Sequence, residues 1–282
     1  MSLLRPEVGP STLKVTRWGG RRLATLRGAA AGSAVGESWE FSTLPGSESR
    51  SGGRPLARVL GGPLPFLAKL LDTALPLSVQ VHPGDGPDGP GKEEAWIVLD
   101  ADPDACVWAG LARGCTRKQF SDALARGPAC MDLLRRIPVA AGTVVLVPAG
   151  CVHAIGGGIL LAEIQQPRDA TLRFYDHGSE RPIQPAAALD LLDAEAEAVV
   201  WRPQEPPRPI RGRHVALELL GPGEHTREAG APTLLVPVCG RVHARAGDDD
   251  ESLAPGELRL VPGGACRLAV ERSGLCVAGS VD

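Results

Sequence analysis

The chain has no apolar run approaching the roughly 20 residues that a membrane-spanning helix needs. Arg5 and Glu7 precede any hydrophobic stretch of signal-peptide length, so neither a membrane span nor a secretory signal is expected. It also has no C-x-x-C pair. Its seven cysteines are odd in number and widely spaced, which predicts reduced thiols and a cytoplasmic location. Charge of one sign is nearly balanced: 30 Lys and Arg against 33 Asp and Glu give a net charge of -3. Nucleic acid and anionic membrane are therefore not indicated as partners. Aromatic residues are scarce, with one Tyr and four Phe. By contrast, 35 Gly and 26 Pro are spread between apolar segments, a distribution that suits many turns better than disorder. At 282 residues the chain can bury a full-sized core in one large domain or two modest ones.

Short apolar segments punctuated by Gly and Pro predict an all-β protein with a small helical insertion. Expected strands include 38–42, 95–99, 142–148, 159–166 and 170–175, while 63–75 fits helix and strand equally well. The period changes near 116–136. Thr116 with Gln119 resembles a capping box, Phe120, Ala123 and Leu124 follow at helical spacing, and 129–136 reads as a second short helix. Residues 189–198 are acidic and Ala-rich, a short helix, and four prolines in 202–209 mark a linker. Beyond it, 214–220, 233–238, 257–261 and 266–270 read as strands. Pro-Gly-Glu-Leu-Arg-Leu-Val-Pro at 255–262 faintly echoes Ala-Gly-Thr-Val-Val-Leu-Val-Pro at 141–148. The predicted architecture is a β-sandwich or jelly roll over 1–188, a helix and Pro-rich linker over 189–209, and a second, smaller, degenerate β domain over 210–282.

Leu77-Ser78-Val79-Gln80-Val81-His82-Pro83 is the most informative stretch. Strand alternation sends Leu77, Val79 and Val81 to one face and Ser78, Gln80 and His82 to the other. His82, Glu94 and His153 would make a two-His, one-carboxylate metal set, with Gln80 as a neutral oxygen donor. By residue type that set suits zinc and non-haem Fe(II) alike. Cys151 lies two residues before His153 and reads as a packing residue rather than a thiolate ligand.

Five longer motifs then occur in order: Leu-Ser-Val-Gln-Val-His-Pro, Gly-Lys-x-Glu-x-Trp, Arg-Arg-Ile-Pro-Val-x-x-Gly, Val-Pro-x-Gly-x-x-His-Ala and Glu-x-Gln-Gln-x-x-Asp-Ala-Thr-x-Arg-x-Tyr-Asp. With Trp18-Gly19-Gly20 and Gly36-Glu37-Ser38-Trp39, this resembles the type I mannose-6-phosphate isomerases of the short bacterial form, which are cupins. The resemblance is dense from Trp18 to Asp176 and thin afterwards. It implies one zinc ion per chain, held by Gln80, His82, Glu94 and His153, and the interconversion of mannose 6-phosphate and fructose 6-phosphate. It also implies a catalytic Arg173, with Ser78, Lys92 and Glu163 facing the substrate pocket.

Such an isomerisation moves a proton between C1 and C2 through a cis-enediol, with negative charge developing on the oxygens. A Lewis-acidic metal, a guanidinium and a general base are the parts it needs. Arg173 is expected to stabilise the enediolate and orient substrate. Glu163 or a zinc-bound water is expected to carry the proton, and Lys92 to neutralise phosphate or enediolate. By alternation, Glu163 and Arg173 share one face with Gln165 and Thr171; Trp39 and Trp96 read as packing residues. Only eleven residues, mostly Gly, Pro and Asp, separate His82 from Glu94, a short loop that predicts an open pocket rim. His177 stands where the family more often has an aromatic, and Arg181 is a further nearby cation. The competing readings are a cupin isomerase for another sugar or sugar phosphate, a non-haem Fe(II) oxygenase, and a non-catalytic sugar-binding cupin. A small-molecule sugar phosphate is the expected partner, to a monomer or homodimer.

Overall fold

Ala95-Trp96-Ile97-Val98-Leu99 is apolar at every position, and a strand of that kind has to be covered on both faces. A computed structural model describes residues 2–9, 12–30 and 32–282 and shows what covers it. The strand Glu94–Ala101 lies inside a seven-stranded sheet. The order is Leu13–Gly20, Val35–Phe41, Leu67–Thr73, Ile159–Gln165, Glu94–Ala101, Val144–Val147 and Val199–Trp201. Every described pairing in it is antiparallel. Trp96 and Val98 point into one core with Trp18, Leu71, Val145 and Leu161. Ala95, Ile97 and Leu99 point into the opposite core with Leu70, Val144, Ala162 and Ile164.

The first of these cores is closed by a five-stranded sheet, ordered Leu172–Tyr175, Val79–Val81, His153–Ile155, Cys106–Leu111 and Leu134–Pro138. These two sheets form the sandwich that carries the candidate site. Helices cover the outer face of the second sheet. Phe120 and Ala123 of Arg117–Leu124 and Ala188 of Pro185–Leu191 pack there on Val79, Val81 and Ala154. The Thr116–Gln119 capping box is formed.

Three local expectations are corrected. Residues 129–136 are not a helix: a 3-10 helix spans Gly127–Leu133 and a strand follows over Leu134–Pro138. The helix expected at 189–198 is Pro185–Leu191, with proline in its first turn where the missing N–H costs nothing. Leu77 does not share a face with Val79 and Val81. It precedes the strand and packs in the sandwich core, while the two valines pack under the helices. The ambiguous 63–75 segment resolves as the strand Leu67–Thr73.

The opposite core of the seven-stranded sheet is closed by Ile210, Val215, Leu217, Leu234, Val236 and Val277, from a second five-stranded sheet. Its strand order is Ile210–Arg211, Val215–Leu220, Leu275–Val281, Thr233–Cys239 and Arg259–Val261. A four-stranded sheet, Gly223–Ala229, Gly264–Val270, Val242–Ala246 and Asp249–Leu253, packs behind it. The faint sequence echo has a topological counterpart. Val215–Leu220, Leu275–Val281, Thr233–Cys239 and Arg259–Val261 neighbour one another as Leu67–Thr73, Ile159–Gln165, Glu94–Ala101 and Val144–Val147 do. The buried residues of Gly264–Val270 are Cys266, Leu268 and Val270, so this strand presents no ligand to its core.

One buried carboxylate ties the two halves together beside the candidate site. Glu93 is 3% exposed. It accepts hydrogen bonds from the backbone N–H groups of Arg213 (3.0 Å), His214 (2.9 Å) and Val215 (2.7 Å). A Cβ on Gly212 would run into its Oε1, so a side chain there would displace the carboxylate from these donors. Glu93→Ala leaves three N–H groups without their acceptor and is expected to cost about 3 kcal/mol or more. Urea unfolding should show a lowered midpoint at unchanged slope; a midpoint equal to that of the unaltered chain would remove Glu93 from the brace.

Candidate metal centre and active-site cleft

Three segments deliver the four metal-type ligands to one point. Gln80 lies in Val79–Val81, whose Cα register places it opposite both His153 and Arg173. His82 follows one residue past that strand. Glu94 opens the strand Glu94–Ala101 of the facing sheet, opposite Val147 and Gln165. His82, Glu94 and His153 are each 1% exposed, and one ligand atom from each lies within 4.8 Å of the others. His82 Nε2 is 3.3 Å from Glu94 Oε2, and His153 Nε2 is 3.4 Å from Glu94 Oε1. Among the described residues this is the one His/Cys/Asp/Glu cluster of that kind.

Backbone carbonyls set both imidazoles. His82 Nδ1 donates to Ala170 O at 2.8 Å and His153 Nδ1 to Cys151 O at 2.9 Å. Each Nε2 lone pair then faces the centre, an arrangement that orients histidine as a metal ligand. Burial, with Lys92 second, drives the His82 imidazole down to about 3, and burial lowers His153 too. Both rings are neutral at neutral pH. Burial by itself would raise Glu94, but Lys92 and His82 outweigh it and hold the carboxyl well below its usual range. Two neutral nitrogen donors and one anion fit a divalent cation. So does Glu94 Oε2, which is buried without a well-directed hydrogen bond. A positive charge already sits there, because Lys92 Nζ is 2.9 Å from Glu94 Oε2 and 2.8 Å from His82 Nε2.

Gln80 reaches the same centre with its amide, Nε2 lying 3.1 Å from His153 Nε2, while its Oε1 accepts from the Ser78 hydroxyl at 3.0 Å. Rotating the amide by half a turn exchanges the two atoms and presents Oε1 inward. Cys151 is a packing residue. Its thiol is buried against the carbonyls of Val152 and Ala196, and burial pushes it up to about 12, so a thiolate ligand there is disfavoured.

Gln80 and Lys92, which touch the cluster, also line a cleft with Glu37, Lys69, Ser78, Glu163 and Arg173, and Asp169 and Thr171 lie beside them. The expected site residues are therefore together, and Thr171 shares their face. Gln165 does not line the cleft. Its amide nitrogen donates to Gln166 O (3.1 Å) and Arg168 O (2.6 Å), which shapes the turn after its strand. Glu163 is 3% exposed and its Oε1 is 3.1 Å from Lys69 Nζ. Burial raises its carboxyl above the usual range against the pull of Lys69. Arg173 carries a buried Nε with no hydrogen-bond partner, and burial, then Arg181, lowers its guanidinium.

Two residues were not singled out in the sequence. Lys69 forms the cleft floor, its ammonium 5.1 Å above the Trp39 ring and 3.9 Å from Glu37. Glu37 accepts the Trp39 indole N–H at 2.8 Å. Trp39 is thus the underside of a charged cluster and not simple packing. Trp96 is fully buried, edge-on to His153 at 5.5 Å. The short 83–93 loop, which brings Lys92 to the cleft, is pinned at Asp85. Asp85 holds it through Gly91 N (2.8 Å), Gln166 Nε2 (3.0 Å) and His214 Nε2 (2.7 Å).

No family model matches the chain. Mannose-6-phosphate isomerase ManA of Bacillus subtilis is 35% identical to it over 182 residues, 57% of this chain and 57% of that protein. The match thus spans under two thirds of the curated relative's own length. The crystal structure of the mannose 6-phosphate isomerase from Bacillus subtilis has a TM-score of 0.80 at 23% identity, covering 99% of both chains. A solved mannose 6-phosphate isomerase bound with zinc and yttrium has a TM-score of 0.71 at 16% identity, over the whole of both. The chain is a homologue of a curated mannose-6-phosphate isomerase and has the β-sandwich fold of solved mannose 6-phosphate isomerases over its whole length.

Proposed function

We propose that this chain is a zinc-dependent aldose–ketose isomerase that interconverts mannose 6-phosphate and fructose 6-phosphate. The observation that carries the reading is a buried His–Glu–His cluster touched by Gln80 and Lys92, which line one polar cleft together with the partnerless Arg173. The activity named for the Bacillus subtilis relative and the zinc bound by a structural neighbour support it.

In this reading Gln80, His82, Glu94 and His153 hold one ion per chain. When bound, the divalent ion supplies Lewis-acid polarisation of substrate oxygens. The Arg173 guanidinium, unpaired at Nε, stabilises the negative charge that develops on the oxygens of C1 and C2 as the proton leaves. Glu163 takes and returns that proton. Its raised carboxyl is closer to the operating pH than an ordinary glutamate, the direction a general base needs. Lys69 holds Glu163 in place and charged. Lys92 faces the anionic intermediate from the metal side, and Ser78 orients the Gln80 amide. The 210–282 sheets act as a second, degenerate cupin-like domain that braces the first. Seven cysteines without a disulfide suit the cytoplasm.

The test is a coupled assay on the metal-loaded protein, with metal content measured alongside. Turnover of mannose 6-phosphate should disappear on chelation and return with zinc. Failure to turn over mannose 6-phosphate at full zinc occupancy would overturn the substrate assignment. Recovery with Fe(II) and dioxygen consumption would overturn the reaction class.

A further inference from the structure

His82 takes its orientation from Ala170 O at 2.8 Å, and Lys92 reaches Glu94 from the end of a glycine-rich loop. Ala170 lies between the strands Ile159–Gln165 and Leu172–Tyr175, and the loop lies between Val79–Val81 and Glu94–Ala101, so neither segment belongs to a strand. Both nevertheless present a group to a buried centre, where the partners of metal ligands have to be held in place. Something other than strand pairing fixes them.

Side chains do this. Gln166 is 4% exposed, and both ends of its amide are spent on 83–93. Its Oε1 accepts from Glu93 N at 2.9 Å, and its Nε2 donates to Asp85 Oδ1 at 3.0 Å. The partners leave the amide no freedom, because an N–H has to meet its oxygen and a carboxylate its nitrogen. The Gln166 backbone N–H also donates to Glu93 O at 3.0 Å, so the side chain adds a rung to the ladder just past its strand. The turn that follows is tied to the same loop, with Arg168 Nη1 donating to Pro90 O at 2.7 Å. Gln165 Nε2 closes that turn on Arg168 O at 2.6 Å.

The loop is closed on itself as well. Asp85 Oδ1 takes Gly91 N at 2.8 Å, and Lys92 N donates to Pro83 O at 2.9 Å. Gly91 packs so tightly that a Cβ would meet Asp85 N and Gly84 C at 2.8 Å. The carboxy-terminal half joins at the same point, where Asp85 Oδ2 accepts from His214 Nε2 at 2.7 Å.

We propose that Gln166, acting through Asp85, is a positioning residue for the metal centre: it locks the 83–92 loop to the 166–170 turn, so that the Lys92 ammonium and the carbonyl that aims His82 keep their places. This rests on the metal-centre reading given above. It also accounts for the paired glutamines of Glu-x-Gln-Gln, neither of which lines the cleft. Both are spent on the turn that presents Ala170 O. Without Gln166 the ligands remain, but the ring of His82 and the charge of Lys92 lose a common support.

The full-length protein tests this with Gln166→Leu, Asp85→Ala and Asp85→Asn, and with Gln166→Leu and Asp85→Ala combined. Zinc affinity is measured by competition with a chelator, at a temperature where circular dichroism shows each variant folded. Gln166→Leu should bind zinc about tenfold more weakly, the low end of what the partners of metal ligands are worth. Asp85→Ala should lose about as much, while Asp85→Asn, which keeps an acceptor for Gln166, should stay close to the unaltered chain. The combined variant should lose no more than Gln166→Leu alone, because both changes break one contact. A lower melting temperature with unchanged zinc affinity in the folded variants would reduce the clasp to a matter of stability and overturn the proposal. Losses that multiply in the combined variant would overturn it too. If Gln166→Leu fails to fold, the two Asp85 variants decide the same question.

A second arm needs no metal. In metal-free protein carrying 15N-labelled histidine, the His82 Nδ1–H should give a slowly exchanging NMR signal, protected by Ala170 O. That signal should be lost in Gln166→Leu and Asp85→Ala and kept in Asp85→Asn. Its loss in those variants of a chain that binds no zinc supports the clasp and sinks the metal reading. An unchanged signal and unchanged affinity in a chain that binds zinc do the reverse.

Discussion

Glu94→Gln is expected to leave the protein folded, free of tightly bound metal and inactive. Glutamine keeps the shape of glutamate, and the backbone pairing of residue 94 with Val147 and Gln165 does not involve the side chain. What changes is charge. Glu94 is the sole anion of the His82, Glu94 and His153 cluster, and both imidazoles are held neutral by burial. Without the carboxylate, a divalent ion would face neutral donors and the Lys92 ammonium, which loses its 2.9 Å partner at the same time. Changes in the outer shell of metal sites already cost 10–100-fold in affinity, so loss of this ligand should exceed about 100-fold. Metal content after dialysis reads this directly. Thermal unfolding reads it independently: a chelator should lower the melting temperature of the unaltered chain, since an ion that binds only the folded state stabilises it. It should leave Glu94→Gln where it was. A variant that retains one equivalent of metal would dismantle the centre as described.

The parts of this site legible in the sequence are those carried by a period of two. In 77–83, alternation separates Gln80 and His82 from Val79 and Val81. Between the neighbouring acids 93 and 94, the same alternation sends Glu94 to His82, His153 and Lys92, and Glu93 to the backbone of 213–215. Lys69 was not legible for the opposite reason. Its strand, Leu-Ala-Lys-Leu-Leu-Asp-Thr, is buried on both faces, so no alternation marks the lysine as inward. Its partners Glu163 and Glu37 come from the strands on either side, and only the sheet order brings them together. The carboxy-terminal half shows a related limit. Gly223–Ala229, Gly-Glu-His-Thr-Arg-Glu-Ala, is polar enough to read as loop, yet it pairs with Gly264–Val270 along its length. Residues 134–136 read as the end of a short helix in the sequence, yet they open the strand Leu134–Pro138. Pairing with Cys106–Leu111 decides the matter, a long-range contact that local spacing does not encode.

Arg173→Ala is expected to lower kcat by about 10²–10³, or 2.7–4 kcal/mol of transition-state stabilisation, with metal content and melting temperature close to those of the unaltered chain. The separation of activity from stability follows from how the residue is held. Its strand is kept by backbone and neighbouring contacts: Arg173 N donates to Gln184 Oε1 at 3.2 Å, and Arg173 O accepts from Gln184 N at 2.8 Å. The side chain contributes little to the fold, because its buried Nε has no hydrogen-bond partner. Burial also disfavours its charge, as its lowered guanidinium indicates. A half-buried cation kept against that cost, with its Nε left unpaired, is matched to charge that appears only during the reaction. Arg173→Lys sharpens the test, since it keeps the charge and loses the planar fork. It should recover part of the lost kcat if charge is what matters, and little if the geometry of the fork does. Full turnover in Arg173→Ala, with metal bound, would take the guanidinium out of the chemistry and leave Lys92 as the cation facing the developing charge.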